Sequence, residues 1–177
     1  TDSSMCAVAV NCLNLEQLDV AECYALTDRA TALLARNCVR LTVLRVCLCD
    51  NLTNAAIAAV ASCCRRLSEL RFIACDLTAL PANIGNLSEL RLLDVSCNKL
   101  TELPRSIVNL ACACDLLVND NPLESPSLEI AKRGIPAIRR YFDELEQVPS
   151  ELQVVLFGDT RAGKTSLRNA LAGRSKP

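Results

Sequence analysis

The residues with the clearest capacity for chemistry lie near the C-terminal end, where residues 158–165 read GDTRAGKT. This run matches the pattern G-x-x-x-x-G-K-[ST] in full. The glycines allow backbone N–H groups to surround a phosphate, the lysine reaches the β- and γ-phosphate oxygens, and the threonine hydroxyl binds Mg²⁺. The sequence therefore predicts a nucleotide-binding loop (P-loop, or Walker A motif), with Thr165 as the Mg²⁺ ligand. Its nucleotide-binding residues are Gly158, Asp159, Thr160, Arg161, Ala162, Gly163, Lys164, Thr165 and Ser166.

The segments on either side of this loop have the patterns that the motif requires. Residues 152–157, LQVVLF, form an almost continuous apolar run, as in a strand buried on both faces. Residues 166–172, SLRNALA, follow as the start of a helix. A strand–loop–helix unit is therefore predicted around the P-loop. The competing interpretation is a glycine-containing turn with a solvated Lys164.

Most of the chain before the loop consists of a repeated pattern. Five segments follow one another at spacings of 26, 26, 23 and 23 residues, beginning at Cys12, Cys38, Cys64, Leu87 and Leu110. Each carries L-x-x-L-x-V-x-x-(C/N), with Phe72 replacing the valine of the third segment and Ala113 replacing the first leucine of the fifth. Self-similarity at such periods is typical of proteins built from stacked repeats.

Each repeat predicts one short strand, because the L-x-V alternation has the period of a strand with one buried face. Neighbouring units stack to cover their apolar faces, so their strands form a parallel sheet. The 26-residue repeats carry helix-capping residues before an Ala-rich run, at Thr27 or Asp28 and at Thr53 or Asn54. In the 23-residue repeats, Pro81 and Pro104 favour an extended or single-turn segment. The predicted fold class is α/β: a leucine-rich-repeat solenoid with a concave parallel β-sheet and convex short helices or turns, followed by the P-loop unit.

Twelve cysteines are the most unusual feature of the composition. Two repeat positions hold most of them, one with Cys12, Cys38 and Cys64, the other with Cys23, Cys49 and Cys75. Both positions are predicted to be buried, with cysteine acting as a small apolar residue. Asn98 and Asn121 take the second position later in the chain, where an amide can bind backbone groups inside the turn. A metal site is not expected, because paired C-x-x-C spacings and histidines do not occur. Unpaired thiols favour a cytoplasmic location.

The concave face of the predicted sheet is the surface on which such repeats usually bind partners. Its exposed strand positions are predicted at Gln17, Asp19, Ala21, Val43, Arg45, Cys47, Glu69, Arg71, Ile73, Leu92, Asp94, Ser96, Asp115, Leu117 and Asn119. Arg45 and Arg71 fall on adjacent strands and form a candidate basic spot between Asp19 and Asp94. These four residues are the candidate protein-binding residues. The alternative is a solvated sheet whose charges pair with one another.

The repeat period stops after Leu123, and residues 124–150 predict a helical C-terminal cap and linker. Gly134 is suited to end a first helix, and Pro136 to the first turn of a second. The second helix places Ile135, Ile138, Phe142 and Leu145 at helical spacing. The predicted organisation is therefore 1–123 for the repeats, 124–150 for the cap and 151–177 for the N-terminal piece of a P-loop domain. Because the sequence opens inside a periodic pattern and stops inside a motif, it is interpreted as a fragment.

Composition excludes several classes of function. Nineteen basic and twenty acidic residues give a net charge of −1, which provides no reason to expect nucleic acid as a partner. No apolar run reaches the roughly 18 residues that a transmembrane helix requires. The absence of histidine removes the catalytic dyads and zinc sites that depend on imidazole.

Two known classes of leucine-rich repeat resemble parts of this sequence. Residues 12–75 resemble the cysteine-containing repeats of F-box substrate receptors, and residues 77–123 resemble the L-P-x-x-I-x-N-L class of Ras-type signalling scaffolds. The order of repeats, helical cap and P-loop resembles the Roco proteins, in which repeats precede a Ras-like Roc GTPase domain and a COR domain. Of the P-loop residues, Gly158, Gly163, Lys164 and Thr165 match that family's binding motif.

The resemblance implies a signalling GTPase that binds GTP or GDP with Mg²⁺ and takes protein partners on the concave repeat face. A homodimer formed through downstream domains stays open. The switch I threonine, the D-x-x-G and the N/T-K-x-D motifs of a G domain do not occur in residues 166–177, so guanine specificity rests on the resemblance. We expect residues 1–177 alone to be catalytically incompetent, and residues 151–177 to be poorly ordered or docked on the cap. Two alternatives remain: a repeat scaffold or ubiquitin-ligase substrate receptor without nucleotide function, and an ATP-binding signalling NTPase.

Overall fold

The computed structural model describes residues 1–146 and contains five strands and five α-helices in that range. In chain order they are α1 (Asp2–Asn11), β1 (Gln17–Ala21), α2 (Asp28–Asn37), β2 (Val43–Cys47), α3 (Asn54–Cys63), β3 (Glu69–Ile73), β4 (Leu92–Asp94), β5 (Asp115–Leu117), α4 (Leu128–Ala131) and α5 (Ile135–Glu146). Two 3₁₀ helices, Ala82–Asn86 and Arg105–Asn109, flank β4. The predicted P-loop at 158–166, with its flanking strand and helix, lies outside the described residues.

The strands form one parallel sheet in the order β1-β2-β3-β4-β5, and the fold is mixed α/β. Each strand lies where the L-x-V alternation predicted one, and equivalent positions are in register from strand to strand. Leu18 pairs with Leu44, Leu44 with Leu70, Leu70 with Leu93, and Leu93 with Leu116. The repeat spacing thus places the same side chain at the same height on every strand.

The core runs along one side of this sheet and is aliphatic. Leu44, Leu70 and Leu93 are fully buried, as are Phe72 and Ile84. The fifth repeat departs from the predicted pattern. Ala113 is exposed rather than buried, whereas the next residue, Cys114, is buried and donates its backbone N–H to the oxygen of Ala111. The larger Cys114 side chain thus takes the inward position that Leu90 holds in the fourth repeat.

The connections between strands differ by repeat length, as the sequence predicted. Helices α2 and α3 fill the 26-residue repeats, and the 3₁₀ helices begin directly after Pro81 and Pro104. Thr53 caps α3 through a hydrogen bond from the N–H of Ala55. Thr27 precedes α2 but makes no such bond, and its hydroxyl donates to the carboxylate of Asp2.

A column of side chains joins the starts of successive helices, and the sequence analysis did not foresee it. The carboxylate of Asp2 accepts from the N–H and hydroxyl of Thr27 at 2.7 and 2.6 Å. Asp28 does the same for Thr53 at 2.8 and 2.7 Å. Asn54 continues the column by accepting the N–H of Thr78 at 3.0 Å. Each repeat therefore satisfies polar groups of the next one, which fixes the stacking of the helices.

The two cysteine positions are buried only in the interior repeats. Cys38, Cys49, Cys64 and Cys75 are buried, but Cys12 is exposed and Cys23 is half-buried because the first repeat has no neighbour on its outer side among the described residues. Burial raises the pKa of the Cys64 and Cys75 thiols to about 12. These thiols are protonated at neutral pH, which fits a packing role.

Asn98 and Asn121 take over the second cysteine position in the last two repeats, and both are buried. The amide oxygen of Asn98 accepts the backbone N–H groups of Cys75 and Leu77 at 3.1 and 3.0 Å. The amide of Asn121 accepts the N–H of Leu100 and donates to the carbonyl of Val95. The predicted hydrogen bonding of backbone groups inside the turn is confirmed for both asparagines.

The C-terminal cap is formed by α4 and α5, joined at Gly134 with a φ of 82°. Ile135 and Ile138 of α5 are fully buried, and Phe142 packs at the edge of the core beneath the guanidinium of Arg105, 5.9 Å from the ring centroid. Leu145 lies within α5 at the predicted helical spacing, and its side chain is 51% exposed. No helix in residues 1–146 has the length and hydropathy to cross a membrane.

Candidate partner-binding face of the sheet

The four candidate residues lie side by side across the middle of the sheet. The register pairs Asp19 with Arg45, Arg45 with Arg71, and Arg71 with Asp94. Their side chains project to the side of the sheet away from the leucine core, because side chains alternate between the two faces of a strand. The structure therefore brings all four predicted residues together in one row across β1 to β4.

Glu69 links the two arginines and is the residue that the sequence analysis did not single out. Its carboxylate accepts two hydrogen bonds from Arg45, at 2.6 Å from Nε and 3.1 Å from Nη2, and one from Arg71 Nε at 2.6 Å. The signal was present in the sequence, because Glu69 lies two residues before Arg71 on the same face of β3. We name the set Asp19, Arg45, Glu69, Arg71 and Asp94 the charge row.

The carboxylates at the two ends of the charge row also pair with the arginines. Arg45 lies 3.5 Å from Asp19, and Arg71 lies 3.9 Å from Asp94. Asp94 was predicted to be exposed, but it is buried, and its other oxygen accepts the backbone N–H of Ser96 at 3.1 Å. The expected basic spot is thus corrected: both guanidinium groups are paired with carboxylates, as the alternative of mutually paired charges proposed.

The electrostatics of the row favour the charged form of Glu69. Hydrogen bonds from Arg45, and then from Arg71, hold the pKa of Glu69 below its usual range despite a desolvation effect in the opposite direction. Without Glu69, two like charges would face each other at directly paired positions of β2 and β3, an arrangement that destabilises sheets. Glu69 therefore keeps the two arginines compatible with the register.

Apolar side chains surround the charge row on the same face. Val43, Ile73 and Leu92 are half-buried, and Leu117 is 38% exposed at the end of the sheet. Asp115 is exposed beside Leu92 and makes no ion pair within residues 1–146. The face therefore combines a paired ionic centre with an apolar surround.

Replacing Glu69 with alanine is expected to lower the free energy of unfolding by about 1 kcal/mol at low ionic strength, and by less in about 1 M salt. The effect is modest because the Arg45 and Arg71 side chains are 40% and 33% exposed, so that water screens their repulsion. Urea denaturation at both salt concentrations measures it. The control is Glu16→Ala, which removes a pair with Arg40 that is at least half exposed on both sides.

The same variant gives a pH test with a defined sign. Because the folded-state pKa of Glu69 is lowered, its contribution is present above the unfolded-state pKa of about 4.3 and is lost as the pH falls through the folded-state value. The stability difference between the native chain and Glu69→Ala should therefore shrink from pH 7 to pH 3. A difference that grows on acidification would contradict the ion-pair assignment.

Comparisons with known proteins give a partial relationship. No protein-family profile matches the chain. Two curated proteins are each 41% identical over 58 residues, namely malignant fibrous histiocytoma-amplified sequence 1 of Homo sapiens and its homolog of Mus musculus. The matched region covers 30% of this chain and 6% of either relative, so the chain spans only a small part of their length. The similarity identifies related sequence but carries no activity with it.

Proposed function

We propose that this chain is the leucine-rich-repeat interaction module of a Roco-type signalling GTPase, joined through a helical cap to the start of its Roc domain. The repeats bind protein partners on the exposed sheet face, and the G domain binds GTP or GDP with Mg²⁺. The observation that carries the proposal is the order of parts in one chain, in which the complete pattern GDTRAGKT follows five repeats and a cap.

The repeat part of the proposal draws support from the regularity of residues 1–146. Five parallel strands follow one another in chain order, with leucines in register and asparagine or cysteine at the end of each strand. A sheet whose strands are sequential neighbours is the expected product of a solenoid of stacked units. The face that carries the charge row lies opposite the leucine core and is the surface we assign to partners.

The nucleotide part of the proposal rests on the donor chemistry of residues 158–166. Two glycines, the ammonium of Lys164 and the hydroxyl of Thr165 fit a phosphate chain and its Mg²⁺ ion. When bound, the nucleotide would supply a hydrolysable γ-phosphate, and Lys164 would neutralise charge on the β- and γ-phosphate oxygens. The chain's twelve free thiols support a reducing, cytoplasmic setting for this signalling role.

The decisive test is nucleotide affinity in the full-length natural protein. Lys164→Ala is expected to weaken binding of a fluorescent GTP analogue by at least about tenfold, because the ammonium contacts phosphate charge directly. The matched control is Lys176→Ala, which removes the same charge outside the motif and should leave affinity unchanged. Equal affinity in the Lys164 variant and the native protein would refute the P-loop assignment.

Competition separates the remaining alternatives in the same assay. Displacement of the analogue by unlabelled GTP but not by ATP supports the Roco assignment, whereas displacement by ATP favours an ATP-binding signalling NTPase. Absence of binding by any nucleotide favours a repeat scaffold or substrate receptor. A repeat scaffold or substrate receptor would use the repeats alone, whereas both nucleotide-binding functions would also use the P-loop.

A further inference from the structure

A cleft of about 460 Å³ lies between the last strand of the sheet and the C-terminal cap, and we name it the β5 cleft. Its walls include Leu92 and Leu117 on the sheet, and Gly134 at the turn between α4 and α5. Ala113 also lines the cleft, because the one-residue shift that turns Cys114 into the core leaves Ala113 exposed. The irregular fifth repeat thus places a small side chain where the cleft opens.

The cleft borders the outer edge of β5, which is the last strand of the sheet in the part of the chain that the structure describes. Asp115 donates its N–H to the oxygen of Arg91 at 2.8 Å. Further along, the oxygen of Leu117 accepts the N–H of Val95 at 2.9 Å. The odd-numbered residues of β5 therefore face β4, and by alternation the N–H and C=O of Leu116 point outward. Neither group has a hydrogen-bond partner among the described residues.

The lining of the β5 cleft is apolar on the sheet and cationic on the cap. Leu92 is half-buried and Leu117 is 38% exposed. Lys132 and Arg133 follow α4 directly, are exposed, and make no ion pair within residues 1–146. Asp115 contributes one negative charge, so the described lining carries a net charge of +1. A partner segment of complementary character is therefore acidic and also carries apolar side chains.

We propose that the β5 cleft binds an extended acidic segment of a protein partner, which adds to the sheet as a further strand beside β5. Main-chain hydrogen bonds to the N–H and C=O of Leu116 supply affinity, and alternate side chains of the segment supply specificity. An acidic side chain pairs with Lys132 and Arg133, and the same two cations disfavour a basic segment. The proposal depends neither on the charge row nor on nucleotide binding.

The test selects peptides from a phage-displayed library of random decapeptides on the 177-residue chain. Counter-selection on Ala113→Trp, whose indole occupies the cleft, removes peptides that bind elsewhere. We expect enrichment of peptides with alternating apolar residues and at least one Asp or Glu. A synthetic copy of such a peptide should slow hydrogen exchange of the Leu116 amide by at least about tenfold, since this N–H becomes a ladder donor. Failure to enrich acidic peptides overturns the proposal, as does unchanged exchange at Leu116.

Charge reversal gives a second readout with the same peptide. The double variant Lys132→Glu and Arg133→Glu is expected to weaken its affinity by at least about tenfold, and by less in about 1 M salt. The matched control reverses Arg65 and Arg66, two exposed neighbours in the turn before β3, and should leave the affinity unchanged. Equal losses in the two double variants would attribute binding to overall charge and overturn the proposal.

Hydrogen exchange of the chain without peptide tests the other possible occupants of the edge. We expect the Leu116 amide to exchange rapidly in the free chain at every protein concentration. Protection that rises with concentration would show that a second copy occupies the edge of β5. Protection that does not depend on concentration would show that the chain itself covers the edge. Either form of protection overturns the proposal.

Discussion

Replacing Asn98 with alanine is expected to lower the free energy of unfolding by about 3–5 kcal/mol, a large fraction of the stability of a domain of this size. The buried amide makes five hydrogen bonds to the backbone of its own and the preceding repeat. Its oxygen accepts from Cys75 and Leu77, and its nitrogen donates to the carbonyl oxygens of Phe72, Val95 and Ser96. Alanine would leave all of these groups without their partner in a buried turn.

The third repeat provides a natural control for this prediction. Cys75 occupies the equivalent position and donates from its thiol to the carbonyl of Ile73 at 3.3 Å. Asn98→Cys should therefore cost less than Asn98→Ala, because it retains a weak donor and more of the side-chain volume. Urea denaturation measures the free energy of unfolding of both variants, and the two values are compared when the denaturant slopes (m-values) are equal. A loss below about 1 kcal/mol for alanine would show that water replaces the amide without penalty.

The strands could be predicted because their determinants are local. An apolar residue at every second position specifies one buried face, and repetition of that pattern specifies parallel neighbours and register. The fifth repeat shows the limit of this reasoning. Ala113 occupies the leucine position by alignment, but the small side chain does not fill the site, and a one-residue shift brings Cys114 inward. Such a shift depends on packing volume, which a periodic pattern does not contain.

Helix α1 was missed for a related reason. Its sequence DSSMCAVAVN has apolar residues on more than one side and lacks the L-x-V signature that identified the repeats. Its place is determined by tertiary contacts, namely burial of Met5 and Ala9 and the bonds from Asp2 to Thr27. The equivalence of Asp2 and Asp28 becomes visible only once the structure shows what Asp28 does.

The candidate site could be predicted as a row of residues but not as a network. Period-two alternation placed Asp19, Arg45, Arg71 and Asp94 on one face and at one height. The choice of partners was left open, because arginine side chains reach several carboxylates from one backbone position. Glu69 determines which carboxylate the two arginines share, because it lies between their guanidinium groups and binds both. With three carboxylates and two guanidinium groups, the charge row carries a net charge of −1 and is not basic.

Gly85→Ala is expected to destabilise the protein by about 3 kcal/mol, although glycine-to-alanine changes at unstrained positions usually stabilise by about 0.4–1 kcal/mol. Gly85 is buried in the first 3₁₀ helix, where an added Cβ would lie 2.1 Å from the carbonyl oxygen of Ser106 and 3.1 Å from Cβ of Asn109. Because the obstacle is backbone of the next repeat, no side-chain rotation relieves the clash. The two 3₁₀ helices would have to move apart.

Because glycine-to-alanine changes at unstrained positions usually stabilise a protein, a loss of stability at Gly85 identifies the clash as its cause. Asn86→Ala, at an exposed position of the same helix, is the control and should alter stability by less than about 0.5 kcal/mol. Val108 holds the position equivalent to Gly85 one repeat later, where the neighbour is the cap and the carbonyl of Val108 accepts a hydrogen bond from Arg139. The requirement for glycine thus comes from close stacking of two proline-initiated repeats. A Gly85→Ala protein as stable as the native chain would show that the repeats do not stack at this distance in solution.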